Sequence, residues 1–218
     1  MFHKWKKYLG ESIEVIPIEL SGRGRRYREP LYDSFDNMVD DVYSIVTEDI
    51  DETPYAFFGY SMGSWIAYDL SYKLIEAGYK EPEHIFFSAR RPPYVKKKDI
   101  IYHTLSEDKM REEIIKLGGI SRELIENKQF MNMFMPIIRS DFKNVNEYEY
   151  KNRGFKLLGN VTVFYGIYDD MTFEDVQKWR DSTNGNLDFY AYEGGHFFIL
   201  DNLDSILDTI GRKLVNNF

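Results

Sequence analysis

The chain has 218 residues, with 28 Lys and Arg against 36 Asp and Glu, giving a formal net charge of −8. That balance argues against nucleic acid or an anionic membrane as the main partner, because both select for concentrated positive charge. With 43% hydrophobic and 29% charged residues the chain is neither disordered nor fibrous, and its length is that of one domain with a substantial core. Cysteine is absent, which excludes a disulfide scaffold, thiolate metal sites and a cysteine nucleophile, and fits a reducing, cytoplasmic setting. The basic start from Met1 to Lys7 meets Gly10 and Glu11 before the apolar stretch of a secretory signal can form, and no uncharged apolar run reaches the ~18 residues that cross a bilayer.

In chain order, Ile13–Ile18 reads as a strand, followed by a Gly/Arg loop from Ser21 to Arg26. Phe35, Met38, Val39, Val42, Ile45 and Val46 recur at three- and four-residue steps, which predicts a helix. Tyr55–Phe58 is a short buried strand, Ser64–Ala77 a helix stopped by Gly78, and His84–Ser88 another strand. From about residue 94 to 155 the pattern is helical: Leu105–Leu117, Arg122–Lys128 and Phe130–Tyr150, interrupted at Gly118-Gly119 and Pro136. Strands return at Val161–Tyr165 and Leu187–Tyr192, with helices near Glu174–Arg180 and Leu203–Val215. Such alternation predicts an α/β fold with a mostly parallel sheet in a single domain, and a helical lid inserted over roughly residues 94–155.

Gly59-Tyr60-Ser61-Met62-Gly63 is a G-x-S-x-G pattern lying between a predicted strand and a predicted helix, the setting of a nucleophile elbow. A serine hydroxyl is inert near neutral pH without a base, so a histidine is required. Of His3, His84, His103 and His196, only His196 follows a glycine-rich loop just past the last strand; the other three read as ordinary histidines. The base needs a carboxylate to fix its tautomer. Asp169 and Asp170 both follow the strand Val161–Tyr165; Asp169 is preferred for its place three residues after Gly166, with Asp170 as the alternative. The order Ser61, Asp169, His196 is that of the α/β-hydrolases. No metal-ligand spacing and no nucleotide loop stands out, and no cofactor is expected. The clusters Arg23/Arg25/Arg26/Arg28, Arg90-Arg91 and Lys96–Lys98 are either partner contacts or solvated loops.

Five segments in order, Ser21–Arg26 with Glu29-Pro30, Phe58–Gly63, Ser88–Pro93, Arg139–Phe142 and Gly194–Phe198, together resemble the type II (external) thioesterases of nonribosomal peptide and polyketide synthetases. Leu117–Ile120 and Glu126–Lys128 resemble that family's lid. The resemblance implies an α/β-hydrolase that releases acyl or aminoacyl groups from the phosphopantetheine thiol of a carrier protein, its partner. Ser61 would be the nucleophile, His196 the base, Asp169 its orienting acid, and the Met62 N–H an oxyanion donor. The family's opening strand and Phe-Pro-x-Ala-Gly-Gly turn find no match in the first residues, so a second oxyanion donor and an interior strand are expected to be missing: either the chain is a truncated form of a longer protein, or its activity is impaired. Ile13–Ile18 and Tyr55–Phe58 are then expected to pair with each other or lie exposed. The rival readings are a small-molecule carboxylesterase with the same triad and an inactive hydrolase-like module that binds carrier protein.

Overall fold

The computed structural model describes residues 2, 5–10, 12–96 and 100–215; His3, Lys97 and Lys98 lie outside them. Strands β1 (Ala56–Tyr60), β2 (His84–Ser88), β3 (Asn160–Gly166) and β4 (Leu187–Tyr192) form one parallel sheet in the order β1-β2-β3-β4. Helices α1 (Lys6–Leu9), α2 (Phe35–Asp49), α3 (Met62–Glu76), α7 (Phe173–Val176) and α8 (Leu203–Val215) accompany it, and α4 (Glu107–Leu117), α5 (Arg122–Glu126) and α6 (Lys128–Asn146) lie between β2 and β3 in sequence.

A parallel sheet needs both faces covered, and strand alternation divides the apolar residues accordingly. Phe57, Ile85, Phe87, Val161, Val163 and Phe189 join a core with α2 and α3. Phe58, Phe86, Phe164, Tyr190 and Tyr192 join a second core with Ile206, Leu207, Ile210 and Leu214 of α8. The helical stripes match: Phe35, Met38, Val39 and Val42 are the buried positions of α2, whose N-cap Ser34 accepts from the Asn37 N–H. Helix α3 is buried nearly all round, and Gly78 (φ +86°) follows its end. A third, smaller core has its buried residues Met110, Ile114, Ile125, Met131 and Met135 on α4–α6.

Three expectations need correction. Ile13–Ile18 forms no strand. It neither pairs with β1 nor lies wholly exposed: Ile13 and Val15 pack into the α8 core, whereas Ile18 and Leu20 reach the α2/α3 core. The segment thus passes from one face of the sheet to the other, and Pro17, with no N–H to donate, suits a crossing better than a ladder. β1 is an edge strand, and the rings of Phe2 and Trp5 cover Phe58 at centroid distances of 5.8 and 4.7 Å. Second, Pro136 does not interrupt α6, which runs through it with Met131 and Met135 buried before the proline and Asn144 after it; packing outweighs the lost hydrogen bond. Third, the helix expected over Glu174–Arg180 is one turn of α-helix, with a Thr172/Asp175 capping box, continued as a 3₁₀ stretch over Gln177–Ser182.

Candidate active site

The elbow is built at the end of β1. Ser61 has φ +50° and ψ −119°, a conformation that non-glycine residues rarely adopt. Gly59 must lack a side chain, since a Cβ there would sit 2.3 Å from the Gly63 carbonyl oxygen. At Gly63 a Cβ would meet nothing within 4 Å, so the steric demand falls on the first glycine of the pattern and not the second. Buried Ser64 stitches the turn: its Oγ lies 2.9 Å from the Gly59 carbonyl and 3.0 Å from that of Ser88, and it accepts from the Ser88 N–H at 3.1 Å. The Ser61 N–H donates to the Ser88 carbonyl at 2.8 Å. Met62 opens α3, where a backbone N–H has no acceptor within the helix.

His196 arrives from the opposite edge of the sheet. β1 and β4 are separated by two strands, about 14 Å at the usual spacing, and the loop after β4 turns back across the end of β3. Gly166 clears its path, because a Cβ there would lie 2.5 Å from the Gly195 carbonyl and 2.6 Å from that of Gly194. The Ile167 and Tyr168 N–H groups donate to the Tyr192 and Gly194 carbonyls at 2.9 and 3.0 Å. His196 Nε2 ends 3.0 Å from Ser61 Oγ, and Nδ1 lies 3.1 and 3.4 Å from the two Asp169 carboxylate oxygens. The Asp169 side chain is 4% exposed and also accepts from the Asp170 N–H at 2.8 Å. Asp170 points away, 68% exposed, with its carboxylate 4.0 Å from Arg91. The geometry therefore brings Ser61, His196 and Asp169 together and leaves Asp170 outside.

Two further contacts were not legible in the motifs. The Tyr60 hydroxyl donates to the His196 carbonyl, and its ring lies 5.7 Å from the imidazole and 5.9 Å from the Phe197 ring. Gly119, in the turn between α4 and α5, rests on Phe197 so closely that an added Cβ would be 2.5 Å from that ring. The glycine pair at 118–119, both with φ near +80°, was the signal for that close approach.

Most of the other singled-out residues have structural work. His84 is buried, stacked on Phe86 and 2.8 Å from the Thr162 hydroxyl; burial lowers its pKa to about 4. His103 lies 3.3 Å from Asn146. Arg26 is spent on Asp41 and Glu29, and Arg23 on Asp141. Arg91 is 2% exposed, Arg90 lies 3.9 Å over the Trp65 ring, and the indoles of Trp65 and Trp179 donate to the Arg91 and Arg90 carbonyls. The Arg90-Arg91 pair is thus built into the wall behind the elbow, while Arg25 and Arg28 remain exposed. Among the described residues no helix is long and apolar enough to cross a membrane.

Comparison with known proteins identifies relatives of the whole chain. Residues 1–214 match the model of the thioesterase domain. The chain is 33% identical to the human medium-chain S-acyl fatty acid synthase thioesterase, over 100% of this chain and 80% of that protein. It is 28% identical to the gramicidin S biosynthesis protein GrsT of Aneurinibacillus migulanus, over 98% and 83% respectively. Among solved structures, ClbQ from the colibactin NRPS/PKS pathway superposes with a TM-score of 0.94 at 28% identity, covering 99% of this chain and 91% of that one. The RedJ thioesterase of the prodiginine pathway in Streptomyces coelicolor gives 0.89 at 31% identity, covering 97% and 79%. The fold is accordingly that of an α/β-hydrolase, as the resemblance implies, and type II thioesterases of NRPS/PKS pathways are among its relatives. With 214 of its 218 residues matched, the chain belongs to the thioesterase domain family.

Proposed function

We propose that this chain is an editing thioesterase that hydrolyses acyl or aminoacyl groups from the phosphopantetheine thiol of a carrier protein. The observation that carries the reading is the line of hydrogen bonds from Ser61 through His196 to Asp169. Ser61 Oγ attacks the thioester carbonyl while His196 Nε2 takes its proton; the carbon–sulfur bond then breaks, and the proton passes to the departing thiolate. Water, deprotonated by the same nitrogen, releases the acid from the serine ester. Asp169 keeps the proton on Nδ1 and stabilises the imidazolium, and the Met62 N–H faces the oxyanion. Helices α4–α6, within roughly residues 94–155, act as a lid in a single domain, with the Gly118-Gly119 turn resting beside the base. Cysteine-free composition supports a cytoplasmic setting.

The test compares acyl- and aminoacyl-carrier protein with a free p-nitrophenyl ester. Greater kcat/KM on the carrier substrate supports the reading; equal or greater efficiency on the free ester favours a small-molecule carboxylesterase, and turnover of neither favours an inactive binding module. Labelling by a fluorophosphonate probe that disappears in Ser61→Ala identifies the nucleophile. A second reading, release of medium-chain fatty acyl groups, is favoured by the 33% identity to the human fatty acid synthase thioesterase. Decanoyl- and acetyl-carrier protein, compared side by side, separate the two.

A further inference from the structure

We propose that Tyr60 is a positioning residue for His196, holding the base over the nucleophile through the hydrogen bond from its hydroxyl to the His196 main-chain carbonyl. The inference rests on the Ser61–His196–Asp169 reading above and adds a fourth side chain to it.

The need for such a tie follows from the topology. Ser61 is delivered by β1 and His196 by the loop after β4, at opposite edges of the sheet. The stem of that loop is fastened on the Asp169 side by main-chain bonds from Ile167 and Tyr168, yet it contains Gly194, with φ +128°, and Gly195. Two successive glycines leave the backbone wide torsional freedom immediately before the imidazole. A hydrogen bond from residue 60 acts from the other side, because residue 60 is the last of β1 and immediately precedes the nucleophile. It links the main chain of the base to the main chain of the serine, so that displacement of one is resisted by the other.

The surroundings suit a lasting tie. The Tyr60 side chain packs against the α8 core, and its ring also lies near those of His196 and Phe197. Burial and the nearby Asp169 charge raise the phenol's pKa above its ordinary value, so the hydroxyl keeps its proton and remains a donor throughout the working pH range. The acceptor is a carbonyl and not a ring nitrogen, so the bond leaves both imidazole nitrogens to Ser61 and Asp169. Tyr60 therefore exchanges no proton with substrate and acts only through the place of His196.

The experiment is Tyr60→Phe, alone and combined with His196→Ala, with kcat, KM and melting temperature measured for each on an activated p-nitrophenyl ester. The residual rate left when a triad member is removed remains measurable at high enzyme concentration. Tyr60→Phe is expected to lower kcat about tenfold with KM changed less than twofold, the scale of a sub-ångström misplacement of a reacting group. In the His196→Ala background the same change is expected to be silent, since there is no base left to position. An unchanged kcat in Tyr60→Phe, or an equal loss in both backgrounds, would overturn the role of Tyr60 while leaving the triad standing. Full turnover in His196→Ala alone would overturn the triad reading and this inference with it.

Discussion

Arg23 and Asp141, 118 residues apart in sequence, meet in a two-pronged ion pair with both nitrogen–oxygen distances 2.9 Å. It fastens the Gly/Arg loop to the C-terminal half of α6, next to the Ser140 and Asn144 side chains, which donate to the Tyr32 carbonyl. Both partners are about a quarter exposed, so the pair is worth more than a fully solvated one and less than a buried one. A double-mutant cycle of Arg23→Ala and Asp141→Ala is expected to give a coupling of about 1 kcal/mol. Amide exchange in α6 should accelerate in either single variant. Uncoupled effects with unchanged exchange would show that the pair does not hold the helix.

Ser64 is expected to matter for stability where Ser61 does not. Removing the buried Ser64 hydroxyl leaves the Ser88 N–H without its acceptor, at a cost of about 1–3 kcal/mol. Ser64→Ala should lower the melting temperature by several degrees, whereas Ser61→Ala should change stability by less than ~1 kcal/mol. Calorimetry of the two variants checks the ranking. Gly59→Ala, which drives a methyl into the Gly63 carbonyl, should be worse than either.

Asp169→Asn is expected to lower thioester turnover by about four orders of magnitude, as in a comparable serine triad where an amide stabilises the wrong imidazole tautomer. Asp170→Asn should cost little, its carboxylate being solvated and remote from the imidazole. Steady-state kinetics on one acyl-carrier substrate distinguish the two, and the reverse ranking would reassign the acid.

Two buried groups set opposing pH slopes. Burial pushes Asp69 up to about 6, with the Tyr148 hydroxyl and Arg153 opposing the rise. Between its unfolded value near 4 and about 6 the folded state binds the extra proton, so stability from this group falls as pH rises. His84 is lowered to about 4, so between 4 and 6.5 the unfolded state binds the proton and stability rises with pH. Asp69→Asn should therefore stabilise the protein at pH 7.5, by an amount on the order of 2 kcal/mol that vanishes below about pH 4. Urea titrations of this variant from pH 4 to 7.5 should show the rising slope of His84. A variant no more stable than the parent at pH 7.5 would contradict the burial argument.

Much of this was legible in the sequence because local pattern and tertiary setting agreed. His84–Ser88 and Leu187–Tyr192 are strands with the bounds their apolar runs predict. The G-x-S-x-G turn and the glycines before His196 also carry their backbone demands openly. Ile13–Ile18 misled because an apolar run records burial and not pairing: it is shared between two cores and has no ladder. The roles of Ser64, Tyr60, Arg23 and Asp141 were hidden because each depends on a contact far away in sequence, which neither period nor propensity encodes.

The delivery of Ser61 and His196 by opposite edge strands has a consequence for inactivation. Edge strands open more readily than central ones, and opening either would separate base from nucleophile while β2 and β3 stayed paired. Catalytic competence is then the first casualty of heating: activity should decay at temperatures where far-ultraviolet circular dichroism still reports an intact sheet, and return on cooling before aggregation intervenes.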